Sequence, residues 1–208
     1  IQGERAAVEQ RHSQHYLAFV AERERRMARD DPHAAVAEIQ GELDNVRQAW
    51  AWASAHAWLE PLANSASGLS YFYLHVGPYA EAEQGFGLAA DLIMARENGA
   101  ANERAGQVAS TLLILHAGYA VTQNKLDQGF AAAQRGIALA LASGNREGQA
   151  TGRMVQAETH YRRAQYAEAQ ALNEQILEQI RQHPPGAPRS EAHLDTEWRA
   201  LRWLGLIA

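Results

Sequence analysis

A four-residue phrase occurs twice in this chain and is paraphrased once. Tyr79-Ala80-Glu81-Ala82 returns unchanged as Tyr166-Ala167-Glu168-Ala169. Between them, Leu126-Asp127-Gln128-Gly129 keeps a large residue first, a polar one third and a small one fourth. The three begin at positions 79, 126 and 166, 47 and then 40 residues apart. Each follows a helix-stop signal and opens a stretch of helical periodicity. A helix-pair unit recurring at such intervals predicts an all-α chain, a right-handed α-solenoid of antiparallel helix pairs with about nine helices. Within the phrase, Tyr79, Leu126 and Tyr166 are expected at the turn. Ala82, Gly129 and Ala169 are expected where two helices touch.

Composition agrees with packed helices. Of 208 residues 47% are hydrophobic, enough for a core in one domain or one repeat array. Alanine is abundant and β-branched residues are few, a balance that favours helices over sheets. The net charge of −5 argues against a general nucleic-acid surface, and Lys125 is the only lysine. With no cysteine, disulfides and thiolate metal sites are excluded, which fits a reducing, cytoplasmic location. The most apolar run, Leu112 to Val121, is short and interrupted by His116, so no membrane partner is expected. The chain opens on Ile1 without a start methionine and reads as a fragment of something longer.

Taken in order, a first helix over about 5–29 carries Val8, His12, His15, Tyr16, Phe19 and Val20 on one stripe. Asp31-Pro32 supplies an N-cap and a first-turn proline for a second. Ile39, Leu43, Val46, Trp50 and Ala53 form its apolar stripe, with Trp52 on the other side and Gly41 placed to admit a close neighbour. At helical spacing Trp50, Trp52 and Trp58 read as core packing rather than a ligand box. A third helix ends at Gly77-Pro78, a left-handed cap followed by proline. Asn98-Gly99, Asn124 and Ser143-Gly144 stop the next three, and Asn145 is placed to cap the following one. This divides the chain into an N-terminal helix pair over 1–58, repeats over 59–182, a proline-rich loop over 183–189, and the first helix of a further repeat over 190–208. That last stretch carries Trp198, Leu201 and Leu204 without a polar closing helix.

The pairs resemble tetratricopeptide (TPR) repeats, in which a small residue of one helix packs on small residues of the next. The resemblance places Ala117 against Gly129 and Gly136, Ala157 against Ala169, and Ser70 against Ala82 and Ala89. Leu204-Gly205 matches the family's leucine-glycine pair. The interval of 40 to 47 exceeds the family's 34, and its tryptophan and proline positions are poorly matched. Separately, His15-Tyr16-Leu17 and the run Glu42 to Ala53 resemble the helical region of bacterial signal-transducing (STAND-type) ATPase regulators. These include large ATP-binding LuxR-type and antibiotic-regulator-type activators. The resemblance implies a multidomain transcriptional regulator whose sensor or partner-binding arm this is. Asp44, Asn45 and Arg47 are expected to link adjacent helices by hydrogen bonds.

No chemistry announces itself. A GxxxxGK[ST] phosphate loop is missing, so ATP hydrolysis by these residues is not expected. His12 and His15 share a face but have no third ligand, and neighbouring Glu158 and His160 do not face each other on a helix. The chain is read as non-catalytic, with no cofactor and no metal. By comparison with the TPR groove, binding is expected on the first helix of each pair. That face holds Tyr71, His75, Thr111, Thr122, Glu158, Tyr161, Arg162, Arg199 and Arg202. Tyrosines beside arginines suit a protein or peptide partner or a small anionic effector. The alternative from another class is a self-associating scaffold, a homo-oligomer joined through the C-terminal helix.

Overall fold

The computed structural model describes residues 2–96, 102–181, 198, 200–202, 204 and 205. Every regular element among them is helical. Helix α1 (Gln2–Arg25) runs into one π-helical turn, Arg26–Asp30. Then come α2 (Pro32–Gly41), α3 (Leu43–Ala55), α4 (Leu59–Val76) and α5 (Tyr79–Arg96). Helices α6 (Glu103–Thr122), α7 (Leu126–Ala142), α8 (Arg146–Arg162) and α9 (Tyr166–Arg181) complete them. The three phrases open α5, α7 and α9. None of the described helices is long and apolar enough to cross a membrane. The expected stop at Asn98-Gly99, the loop over 183–189 and most of 190–208 lie outside the described residues.

Two expectations about the first helices need correction. The buried stripe of α1 is Ser13, Leu17 and Val20, continued by Met27, whereas Val8 is 55% exposed and His15 faces solvent. A stripe drawn through the largest residues misses Ser13, which enters the interface because its hydroxyl donates to the Ala49 carbonyl at 2.8 Å. The second predicted helix is two. It breaks at Glu42 (φ −112°, ψ 14°), where the Glu42 amide donates to the Ile39 carbonyl. The break keeps phase, since Ile39, Leu43, Val46, Trp50 and Ala53 are all buried. Gly41 admits no close neighbour, because a Cβ there would meet nothing within 4 Å.

The caps follow the expected chemistry. Asp31, Asn102 and Asn145 accept from the amides of Ala34, Ala105 and Gly148, respectively. Gly77 (φ 88°) ends α4 in the left-handed conformation. Four other helix ends share one turn, with the amide of one residue donating back to the carbonyl five positions earlier. The pairs are Trp58 to Ala53, Lys125 to Ala120, Asn145 to Ala140 and Gln165 to His160. The residue just before each of these donors is left-handed: Ala57, Asn124, Gly144 and Ala164. Asn and Gly are ordinary in that role, while the two alanines carry a steric penalty of about 1 kcal/mol each.

From α2 to α9 sequential helices pack on each other, alternate ones also meet (α1 with α3, α2 with α4, α3 with α5, α4 with α6, α6 with α8), and α1 lies along α4. The largest apolar cluster spans α1 to α6 and holds Phe72, Phe86, Trp50 and Leu112. A smaller one joins Ile114, Ala117, Val121, Ala132, Ala133 and Val155. A third joins Met154, Ile176, Leu177 and Ile180 to Ala200 and Leu204. Ala82, Gly129 and Ala169, the small fourth residue of each phrase, are all buried. At Gly129 a Cβ would lie 3.0 Å from the Ala117 carbonyl oxygen, the approach expected of that pair. Gly136 meets Ile114 and the Ser110 carbonyl instead, and Ser70 is hydrogen-bonded to Tyr119 of α6.

Candidate functional site

The polar side chains assemble into clasps between helices. On α3, Arg47 gives one bond of 2.7 Å to each carboxylate oxygen of Glu81 on α5, and another of 3.1 Å to Asp44. The Tyr73 hydroxyl of α4 donates to the same Glu81 at 2.7 Å. The Arg47 guanidinium holds the Glu81 carboxyl below its usual range; partial burial opposes this and the Tyr73 hydroxyl reinforces it. Burial, with Glu81 beside it, raises the Tyr73 phenol. Asn45 donates to Glu42 at 2.7 Å, and its carbonyl oxygen lies 3.3 Å from His12 Nε2 on α1. Arg47 and Asn45 thus join α3 to α5 and α1, and Asp44 steadies Arg47 from its own helix.

A second clasp centres on Glu83. One carboxylate oxygen accepts from Lys125 at 2.5 Å and from Gln123 at 2.7 Å, tying the α6–α7 turn to α5. The Glu83 carbonyl lies 2.8 Å from His116 Nδ1, so that nitrogen carries the proton. Arg104 forks onto Glu60 at 2.8 and 2.6 Å, Arg135 reaches Asp91 at 3.1 Å, and Arg163 pairs with Asp127. The partners in these five ion pairs stand 34 to 44 residues apart in the chain. That is close to the 40 to 47 residues that separate the three phrases.

The predicted groove residues are distributed over α4, α6 and α8. On α4, Tyr71 is half-buried against the large cluster, and His75 is exposed with Nδ1 2.8 Å from the Tyr71 carbonyl. On α6, Thr122 is exposed and bonds back to Gly118, while Thr111 bonds to Gln107 and accepts from Asn145. On α8, Glu158 and Arg162 form an ion pair at 2.8 Å, and Tyr161 packs edge-on against Tyr166 at the start of α9. Tyr161 therefore faces the next helix. The Arg202 guanidinium stands 5.4 Å from the Trp198 ring, and Arg199 lies outside the described residues. Among the described residues, Glu158 meets Arg162, and the His75 ring meets the Tyr71 backbone.

The phrase positions differ in exposure. Tyr79 packs against Tyr119, Leu126 leans on the second cluster, and Tyr166 is 50% exposed. Burial pushes the Tyr119 phenol up to about 12, and its hydroxyl donates to the Ser70 carbonyl at 2.7 Å.

One cleft went unforeseen. Val46, Arg47, Trp50, Leu69, Tyr73, Glu81 and Gly85 line about 130 Å³ between α3, α4 and α5. That is below the roughly 300 Å³ of a small-molecule pocket and suits a single side chain. Its polar rim is the Arg47–Glu81–Tyr73 clasp, and Trp50 Nε1 donates to the Gly85 carbonyl at 3.3 Å. The described residues contain no group of three side chains placed to hold a metal ion. Compared with known family models, curated proteins and solved structures, the chain finds no match.

Proposed function

We propose that this chain is a TPR-like right-handed α-solenoid serving as the non-catalytic, partner-binding arm of a cytoplasmic STAND-type transcriptional regulator. One observation supports the repeat reading most. The buried small residue recurs at the same place in α5, α7 and α9, and the partners of each clasp stand 34 to 44 residues apart. The regulator reading rests on the resemblance carried by the run Glu42 to Ala53. Tyr71 and His75 on α4 and the Glu158–Arg162 pair on α8 are the side chains offered to a protein, a peptide or a small anionic effector. The decisive test is the complete reading frame from which this chain comes. A P-loop ATPase domain encoded before Ile1 is expected; its absence there removes the regulator reading and leaves the repeat reading standing.

A second reading, self-association, is favoured by Trp198 and Leu201, which are 57% and 54% exposed beside the buried Ala200. Light scattering across a concentration series is expected to show a dimer that Trp198→Ala and Leu201→Ala together dissolve. A monomer at all concentrations sinks this reading.

A further inference from the structure

The seam that joins α8 to α6 and α7 carries one side chain bonded to both of its walls. Helix α8 approaches through glycines. A Cβ at Gly152 would meet Ile137 Cγ1 at 2.5 Å, and one at Gly148 would meet Ala140 Cβ at 3.3 Å. Ile137 and Ile114 lie over Gly152, and Val155 shares a cluster with Ile114.

Gln149 donating to the Ala140 carbonyl and Arg163 pairing with Asp127 tie this end of the molecule to α7, and one side chain ties it to α6. The carbonyl oxygen of Asn145 caps α8 by accepting from the Gly148 amide at 2.9 Å. Its amide nitrogen faces three acceptors on α6: Ser110 Oγ at 3.0 Å, and the Gln107 carbonyl and Thr111 Oγ1 at 3.3 Å each. Gln107 answers by donating to the Ser143 carbonyl at 3.1 Å. Asn145 thus belongs to α8 through its oxygen and to α6 through its nitrogen. The residue before it, Gly144, is left-handed at φ 66° and has open space around it. Beyond the seam, Met154, Ile176, Leu177 and Ile180 form a cluster separate from that of α6 and α7. The α8–α9 pair therefore keeps its own packing if it moves.

We infer that α8 and α9 swing away from α6 and α7 as one unit about the Ser143–Gly144 turn, with Asn145 as the latch that holds them closed. Opening separates Val155 from Ile114, releases Arg163 from Asp127, and uncovers Gln107, Ser110 and Thr111 on α6. Units that keep an apolar cluster of their own can open below the global unfolding free energy. This inference is independent of any regulator or partner reading.

Hydrogen exchange on the 208-residue chain tests it, without denaturant and in rising sub-denaturing urea. Amides of 146–181 are expected to share one opening with weak urea dependence, faster than the amides of α4 to α6. Asn145→Ser keeps a good capping hydroxyl but is too short to reach α6. It is expected to speed exchange over 146–181 about tenfold while leaving 2–96 unchanged. Wild-type α8 and α9 exchanging only by the same global opening as α4 overturns the proposal, with no need of a variant. Unchanged exchange in Asn145→Ser overturns the latch.

Discussion

The first six helices and the last two are held by different physics. From α1 to α6 the interior is one cluster filled by large side chains such as Phe72, Phe86 and Trp50. From α8 onward the cluster is small, Gly152 lies under Ile137 and Ile114, and one asparagine bonds across to α6. Burying large apolar groups gives a free energy that grows with area and is insensitive to small shifts. Close approach and hydrogen bonding depend on geometry, so they specify position more than they stabilise it. The contrast teaches that a single repeat phrase can head units of unequal strength.

The hardest blow to that contrast is a large deletion on each side. Phe72→Ala is expected to cost about 3–5 kcal/mol, because a fully buried ring leaves a cavity that its neighbours cannot fill. Urea unfolding followed by helical ellipticity should show the whole chain destabilised. Ile176→Ala should show its loss chiefly in α8 and α9; a fully shared transition for both variants would erase the distinction.

Next in size are the glycines. Gly152→Ala forces Ile137 aside and is expected to cost about 1–3 kcal/mol, as is Ala169→Leu at the buried small position of the last phrase. Gly41→Ala, in open space, should be neutral or stabilising by up to about 1 kcal/mol. Thermal melts that rank Gly41→Ala below Gly152→Ala would refute the packing assignment.

Arg47→Ala is smaller, costing about 1 kcal/mol at neutral pH, because the pair is only partly shielded from solvent. Its signature is in acid. Arg47 depresses the folded-state pKa of Glu81, so the clasp's contribution is present above the unfolded carboxylate pKa of 4.5 and is lost as pH falls through the depressed value. Melting temperatures from pH 7 to pH 3 should therefore fall less steeply in Arg47→Ala than in wild type. Parallel curves would show that the pair adds nothing.

Ala164→Gly is the mildest. It relieves a left-handed alanine (φ 58°) but frees the unfolded chain, for a net gain of about 0.5 kcal/mol.

Much of the helix order was legible because caps and glycine stops are local chemistry. Asp31, Asn145, Gly77 and Gly144 act within a few residues of where they stand in sequence. The face of α1 was not legible, since Ser13 is buried by a carbonyl of α3 that no pattern within α1 contains. Left-handed Ala57 and Ala164 escape for a related reason: the turn geometry prevails over the residue's own preference. The clasps are the largest omission from the site. Arg47 with Glu81 and Lys125 with Glu83 are far apart in sequence, yet opposite charges separated by about one repeat were a readable signal. The groove list followed helix position alone, which cannot show that Tyr161 turns to Tyr166 or that Thr111 is engaged by Asn145.

Lys125 has a practical consequence for anyone handling this protein. Its side-chain amine is the only one in the sequence, and it is engaged with Glu83 rather than free in solvent. Amine-directed biotinylation or surface coupling would therefore attach the molecule through the α6–α7 turn or through the α-amino terminus. The same reaction would cancel the lysine charge and leave the Glu83 carboxylate with Gln123 alone at that oxygen. Molecules held through Lys125 would be anchored and loosened at the same turn. Coupling through a cysteine introduced on the exposed outer face of α9 would keep the two apart.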